Sequence, residues 1–367
     1  MCYAGAGVMW ALALATLFCI CCCWNNIMLG AALMQAASEF VTANLRIMIT
    51  PLLSYVLVLT FFAWWVVSAT WLYSMGNVVA PGNPNLSMMA ELDPVDDFAY
   101  YTMWYYLFGL FWVVAFFLSL QKFIVAAAAT LWYFDPIDDG SKDVSICEAM
   151  TWGLWYHCGT IAFGSFVIAV VEMIRAIFEY LAKKSDEVGG DNPAKKAIEC
   201  VIRACLWCVD ACVKYITESA YMQCCVSNEG FCFSAWNSFC LLIRHAGRFG
   251  SLAMVDWMLN ILGKGCICAS SAGLAYVVAD KAFPLIQQPA IPAIAILCYA
   301  YVVGSLFLTI FSFAARTILF CYLVDEDNGG SSDTPKSLKP FVDYVDSDEF
   351  KEAELGKKPE GKAQDME

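Results

Sequence analysis

Residues 219 to 248 read SAYMQCCVSNEGFCFSAWNSFCLLIRHAGR. This stretch is too polar for a clean membrane span, because Asn237, Arg244 and Arg248 interrupt its apolar residues. From residue 234 to residue 248 the apolar positions can line one face of a helix, with the two arginines one turn apart. The pattern predicts an amphipathic helix that lies where the lipid headgroups begin.

The composition of the whole chain is that of a membrane protein. Hydrophobic residues make up 60% of it, charged residues only 15%, and the mean hydropathy is +0.62. These values are far from those of soluble domains. The net charge of −13 argues against nucleic acid as a partner, since nucleic acid binding needs a basic surface.

Apolar runs that approach or exceed the 20 or so residues needed to cross a bilayer recur along the chain. We therefore predict an all-α polytopic membrane protein with about six apolar spans plus interfacial amphipathic helices. The first run lacks the basic region of a secretory signal and is expected to be a retained span. The predicted spans are residues 4–24, 51–74, 99–134, 149–181, 250–279 and 289–324.

The segments outside these spans have different compositions. Residues 183–248 are predicted to form interfacial or cytosolic helices, whereas residues 325–367 are rich in acidic residues, Gly, Ser and Lys. Such a composition cannot bury enough apolar surface to fold, which predicts a disordered acidic tail.

The loop between the second and third spans predicts the side of the membrane on which it lies. Residues 75–99 contain four acidic residues and no Lys or Arg, so the positive-inside rule places them outside the cytosol. Asn85 lies there in an Asn-Leu-Ser acceptor, which predicts a glycosylated asparagine.

The basic segment 183–214 conflicts with that placement. If 75–99 is outside, spans three and four return the chain to the outside, yet the Lys and Arg residues of 183–214 favour the cytosol. Three explanations remain open: a re-entrant run, an unrecognised crossing within residues 194–248, or a failure of the charge rule.

The 19 cysteines do not predict a disulfide framework or a metal centre. Cys200, Cys205, Cys208 and Cys212 have a spacing that resembles an iron–sulfur ligand run, but they are embedded in apolar residues at helical spacing without glycine. We expect reduced thiols, no bound metal and no cofactor. The sequence contains no nucleophile–base pair or phosphate loop, so we do not expect an enzyme.

Several polar groups inside the predicted spans are candidate functional residues. Glu172 and Arg175 are three positions apart, so they can pair on one helix face, and ionisable residues within a membrane are often functional. A position at the membrane interface would explain this pair equally well. His157 follows Trp155 and Tyr156 and is either a structural histidine or part of a site.

The opening stretch resembles the signature region of the choline transporter-like family of solute carriers. The resemblance extends over residues 8 to 327 and corresponds to the C-terminal part of the family's proteins. It departs from the family at Arg316, where the family has an acid, and in lacking the family's N-terminal span and large extracellular domain. The residues that match the family signature are Tyr221, Phe231, Cys232, Ser234, Asn237, Arg244, Arg248, Asp256 and Cys321.

The resemblance implies that the chain transports choline or a related organic cation by alternating access. Aromatic faces can replace part of the hydration shell of a quaternary ammonium group. On this basis the expected ammonium-binding residues are aromatic side chains of spans two to four, with Glu172 or His157 supplying polarity: Trp64, Trp65, Tyr105, Trp155 and Tyr156. Aromatic belts at the membrane boundary would account for most such residues without a ligand.

The expected partners are choline or a similar quaternary ammonium compound, the lipid bilayer and other membrane subunits. The expected location is the plasma membrane or an organelle membrane. The alternative to transport is a shortened relative that no longer transports and serves as a structural subunit of a larger complex. The chain could also be a fragment of a longer gene product.

Overall fold

The computed structural model describes residues 24–74, 77–79, 91–93, 97–134, 144–189, 193–282, 288, 290–329 and 342 of the chain. These residues are almost entirely helical, as the sequence predicts. The described helices are α1 (Trp24–Ala43), α2 (Ile49–Ser74), α3 (Asp97–Phe134), α4 (Ile146–Thr151), α5 (Cys158–Gly189), α6 (Pro193–Ser227), α7 (Phe231–Arg244), α8 (Ala246–Ala282) and α9 (Ala290–Asp327).

Short elements complete the described fold. A 3₁₀ turn, Leu45–Met48, precedes α2. Two strands, β1 (Asn77–Val79) and β2 (Glu91–Asp93), form an antiparallel pair between α2 and α3. The predicted glycosylation residue, Asn85, lies outside the described residues.

Five described segments are long and apolar enough to cross a membrane. They are Leu45–Leu72, Tyr101–Phe134, Cys158–Ser185, Ala246–Lys281 and Ala290–Asp327. The prediction of an all-α, multi-pass integral membrane protein is therefore confirmed. The remaining predicted span, residues 4–24, lies outside the described part of the chain except for Trp24, where α1 begins.

The chain divides into two compact units. Unit 1 comprises residues 1–45, 129–144 and 241–367, and its core is formed by α1, α8 and α9. Small residues allow close packing there: a Cβ on Gly30 would lie 2.5 Å from Cγ2 of Val255. The contact fixes α1 against α8, because no side chain fits between the two backbones.

The end of α9 is held by the end of α3 within unit 1. Thr130 Oγ1 lies 3.6 Å from Cys321 Sγ, and the Tyr133 hydroxyl donates to the carboxylate of Asp325 at 3.4 Å. With such partners, α9 continues to Asp327, three residues beyond the predicted end of the span at residue 324.

Unit 2 comprises residues 46–128 and 145–240 and includes an antiparallel hairpin of α5 and α6. Part of α3 lies alongside this hairpin: the Trp112 indole N–H donates to the carbonyl of Ala162 at 3.1 Å.

The predicted run 149–181 is not one continuous helix. The N–H of His157 bonds to the carbonyl of Trp152, five residues back, which makes a π-helical turn over Trp152–Tyr156. The backbone of His157 then leaves the helical region, and the apolar span begins only at Cys158. Trp155, Tyr156 and His157 therefore precede the span rather than lying within it.

The predicted amphipathic helix 234–248 is also interrupted. α7 ends at Arg244 and α8 begins at Ala246, so the two signature arginines lie on different helices. The 14 residues of α7 extend about 21 Å, less than the roughly 30 Å apolar thickness of a bilayer. Before α7, Asn228 has a left-handed backbone with φ of 56°, a conformation that asparagine tolerates well.

Candidate functional site

The aromatic residues expected around a ligand are mostly exposed on the described surface. Trp64, Tyr105, Trp155 and Tyr156 are all exposed, and Trp155 reaches 82%. Exposed aromatic rings near the ends of spans are typical of a membrane-boundary belt. Their exposure alone therefore does not define a ligand site.

Trp65 has a packing role in unit 2. Its indole N–H donates to the carbonyl of Tyr106 at 3.1 Å, and the two rings stack with centroids 5.5 Å apart. These contacts join α2 to α3.

A first cavity, of about 370 Å³, lies beside the π-helical turn in unit 2. Its lining includes two of the predicted residues, Tyr156 and His157, which are neighbours in the sequence. The other predicted residues, Trp64, Trp65, Tyr105, Trp155 and Glu172, are not among its lining residues. The cavity is lined by Trp152, Tyr156, His157, Cys224, Cys225, Val226 and Asn228.

His157 is held on one side of this first cavity. Its Nδ1 lies 3.3 Å from Cys224 Sγ, and its ring lies against that of Phe123 at 5.3 Å. Burial disfavours the charged imidazolium and lowers the pKa of His157 below its ordinary value. The imidazole is therefore neutral near pH 7 and offers the cavity polarity rather than charge.

Glu172 belongs to a different cluster. It lies 14 residues beyond the start of α5, about 21 Å along the helix axis. Glu172 accepts from Lys214 at 2.9 Å, and Arg175 donates to Asp210 at 2.9 Å. Each member of the predicted intrahelical pair thus binds a residue of α6.

These bonds form part of a charge ladder along the α5–α6 hairpin. We use charge ladder for Glu172, Arg175, Glu179, Arg203, Asp210 and Lys214. Lys214 also contacts Asp210 at 3.1 Å, and Arg203 makes a bidentate pair with Glu179 at 2.7 and 3.0 Å. Bidentate and charge-assisted bonds are among the stronger hydrogen bonds in proteins, so the ladder fixes the hairpin register.

A second cavity, of about 240 Å³, lies between α8 and α9 in unit 1. Asp256 contributes a carboxylate to a wall that is otherwise largely apolar. The hydroxyl of Ser312 and the side-chain amide of Asn260 both donate to Asp256 Oδ1, the latter at 3.0 Å. The cavity is lined by Met34, Asp256, Leu259, Asn260, Gly263, Leu308, Phe311 and Ser312.

The electrostatics of Asp256 differ from those of the charge ladder. Ser312 and Asn260, which donate to its carboxylate, are both neutral. Lys264, on the same helix, places its ammonium over the ring of Tyr301, 5.8 Å from the ring centroid. An ionisable side chain within a membrane span is a candidate functional group by default. Sequence reasoning placed Asp256 only in the family signature. The signal available in the sequence for Asp256 was a carboxylate within an apolar run, with Asn260 one turn later.

The two signature arginines bind the acidic end of α9 within unit 1. Arg244 donates to Asp327 at 2.5 Å, and Arg248 makes an ion pair with Glu326. The side chain of Arg248 is only 8% exposed, whereas that of Arg244 is 63% exposed. We call these two ion pairs the arginine clasp.

The remaining signature residues support the connection between α6 and α7. Tyr221 and Phe231 pack around Gly164, while the hydroxyl of Ser234 and the amide of Asn237 both donate to Glu229 at 3.4 Å. Cys232 is exposed. These contacts indicate a structural role for this part of the signature.

Comparison with known proteins identifies the family. A family model described as plasma-membrane choline transporter matches residues 7–327. The chain is 31% identical over 230 residues to choline transporter-like 2 of Anopheles gambiae, covering 62% of this chain and 29% of that protein. It is 27% identical to choline transporter-like protein 2 of Xenopus laevis, covering 85% of this chain and 49% of that protein.

A third relative agrees with the second. Choline transporter-like protein 4 of Sus scrofa is 28% identical over 357 residues, covering 85% of this chain and 50% of that protein. The chain thus spans about half the length of these two vertebrate relatives. The relatives are named as transporters, which fits the expectation that the chain is not an enzyme. Because the family model covers most of the sequence, the chain belongs to the plasma-membrane choline transporter family.

Proposed function

We propose that this protein moves choline or a related organic cation across a membrane, and that Asp256 supplies the counter-charge for the ammonium group. The observation that carries the proposal is the carboxylate of Asp256, bound by neutral donors at the edge of the α8–α9 cavity. The relatives' names motivate the substrate class.

The position of Asp256 within a candidate span supports a role in transport. It lies in the segment Ala246–Lys281, ten residues and about 15 Å after the start of α8. A permanent cation that enters the hydrocarbon needs an opposite charge, because the hydrocarbon offers no hydration.

The cavity wall suits a small cation with apolar groups. Its volume of about 240 Å³ lies just below the range of drug-sized pockets, and Met34, Leu308 and Phe311 can contact methyl groups. The Phe311 ring can add a cation–π contact worth about 2 kcal/mol when desolvated. Ser312 and Asn260 hold the carboxylate oxygen in place for the incoming ammonium.

The test is uptake of labelled choline into liposomes that contain the purified protein. We expect saturable uptake by the unmodified chain and at least a tenfold loss in Asp256→Asn, which keeps the shape of the side chain and removes its charge. Tenfold corresponds to about 1.4 kcal/mol, within what a single ion pair supplies outside bulk water. Asp280→Asn is the matched control, because Asp280 is an exposed carboxylate on the same helix.

The first cavity provides the competing assignment for the binding residues. If Asp256→Asn transports normally while Tyr156→Ala or His157→Gln abolishes uptake, the cation site lies beside the π-helical turn instead. Absence of saturable uptake by well-folded unmodified protein would refute transport by this chain. The alternative of a structural subunit would then be tested by co-purification with other membrane proteins.

A further inference from the structure

Helix α6 carries its charges on one side only. Between residues 199 and 218 the charged residues all fall within an arc of about 100°, at 100° per helical residue. These residues are Glu199, Arg203, Asp210, Lys214 and Glu218. α6 is therefore strongly amphipathic despite its many charges.

The charged side of α6 is turned toward other helices. Arg203, Asp210 and Lys214 bind α5 through the charge ladder, and Glu218 accepts from Lys122 of α3 at 2.6 Å. Asp210 keeps only 10% of its side chain exposed. A soluble amphipathic helix has the opposite arrangement, with charges outward and apolar residues inward.

The opposite side of α6 is uncharged and exposed. It forms an apolar stripe, which we define as Ile198, Val201, Cys205, Cys208, Val209 and Cys212, within an arc of about 100°. Ile198 and Val201 are 61% and 62% exposed. Exposed apolar surface of this extent marks a protein or membrane contact.

The helix that packs against α6 belongs to a segment that is itself a candidate span. In the adjacent α5, Phe163, Ile174 and Leu181 are exposed large apolar residues of the segment Cys158–Ser185. Because α6 packs antiparallel to α5, lipid around α5 also reaches α6. The 35 residues of α6 extend about 52 Å, enough to cross the bilayer.

We propose that α6 is a membrane-crossing helix whose apolar stripe contacts lipid acyl chains. Four of its charged residues are paired against α5 and α3: Arg203, Asp210, Lys214 and Glu218. The charged residues lower the mean hydropathy of α6, so composition alone does not identify it as a span. When charged side chains are paired and turned away from lipid, the free-energy cost of placing them in the membrane is far smaller than for isolated charges.

This crossing reduces the conflict over sidedness but does not remove it, because Lys195 and Lys196 at the start of α6 stay on the side of residues 75–99. With α6 as a span, Arg203 and Lys214 are intramembrane residues and no longer count as loop charges under the positive-inside rule. Lys195 and Lys196 then lie on the side opposite to the chain after α9, since α7 is too short to cross and α8 and α9 cross in opposite directions.

Native lysines provide the test without substitutions. Sealed cells expressing the protein are treated with a membrane-impermeant amine reagent before or after permeabilisation, and modified lysines are mapped by mass spectrometry. We expect Lys195 and Lys196 to react in one condition and the tail lysines, Lys336 and Lys339, in the other. Lys281, at the end of α8, is the internal control, because the crossing of α9 separates it from the tail.

Labelling of Lys195 and Lys196 together with the tail lysines would overturn the proposal. A second measurement reports on lipid contact directly: a phosphatidylcholine with a photoactivatable acyl chain is irradiated in liposomes containing the protein. We expect cross-links on residues 198–212 at a level within about twofold of those on residues 163–181 of α5. Background labelling of 198–212 beside strong labelling of α5 would show that α6 does not face lipid.

Discussion

Gly164 lies where α5 approaches both α6 and α7 in unit 2. A Cβ at this position would lie 2.3 Å from the Tyr221 hydroxyl oxygen and 2.8 Å from a ring carbon of Phe231. Tyr221 is fully buried and cannot move away easily. Gly159, on the same helix, differs from Gly164, because a Cβ on Gly159 would meet no atom within 4 Å.

The two glycines give a matched pair of variants. We expect Gly164→Ala to destabilise the protein by about 1–3 kcal/mol, the typical cost of overpacking. Gly159→Ala should be neutral or stabilising by up to about 1 kcal/mol, because alanine favours the helix and meets no obstacle. Unfolding temperatures in one detergent compare the two. Equal decreases in both variants would contradict the packing described for Gly164.

His157 makes stability depend on pH. Its folded-state pKa is lowered by burial, so below the ordinary histidine pKa of about 6.5 the unfolded state binds the proton more readily than the folded state. Stability should therefore fall as the pH decreases from 7 to 5. His157→Gln removes this contribution, so the stability advantage of the unmodified protein should be constant between about pH 7 and 8 and shrink below pH 6.5. If the unfolding temperatures of the two proteins change in parallel from pH 5 to pH 8, His157 does not make stability depend on pH.

At the scale of elements, the charge ladder sets how α5 and α6 pair. Asp210 is its most buried carboxylate and accepts from both Arg175 and Lys214. We expect Asp210→Asn to lower the free energy of unfolding by about 2 kcal/mol. Removing one partner of a fully buried pair costs more, about 3–5 kcal/mol, but Arg175 and Lys214 are partly exposed.

Glu199→Gln is the control for the charge ladder. Glu199 pairs with Lys195 one turn away on the same helix, at 3.7 Å, and such pairs contribute only about 0.3–0.5 kcal/mol. Chemical denaturation of both variants in detergent compares the two losses. If Glu199→Gln costs as much as Asp210→Asn, the charge ladder is not a special source of stability.

The length and composition of the apolar runs predicted most elements, since crossing a bilayer requires a long apolar helix. The break at His157 was not predictable in this way, because the π-helical turn occurs within apolar residues whose hydropathy does not change. The ladder partners were also missed. Glu172 and Arg175 are neighbours on one helix, but their partners lie 42 and 35 positions away in the chain. Spacing rules for a single helix cannot find such partners.

At the scale of the whole molecule, motifs far apart in sequence are joined by charge. Arg244 and Arg248 and the acids after Val324 were both recognised in the sequence, yet nothing in either motif predicted that one binds the other. The arginine clasp joins residues 83 and 78 positions apart. Asp256 was likewise visible, but its cavity depends on the packing of α9, which places Ser312 and Phe311 beside it.

The arginine clasp leads to a prediction about how the end of α9 is held. Glu326→Gln removes the carboxylate charge from the ion pair with the buried Arg248, so we expect a loss of about 2 kcal/mol in the free energy of unfolding. Asp327→Asn acts on the exposed Arg244 and should cost less than about 1 kcal/mol. Denaturation curves in detergent measure both, with the single Arg248→Met variant as a further comparison.

Because Met fills the space without charge, Arg248→Met combined with Glu326→Gln should cost less than the sum of the separate changes. Additive costs would show that Arg248 and Glu326 do not stabilise the protein as a pair.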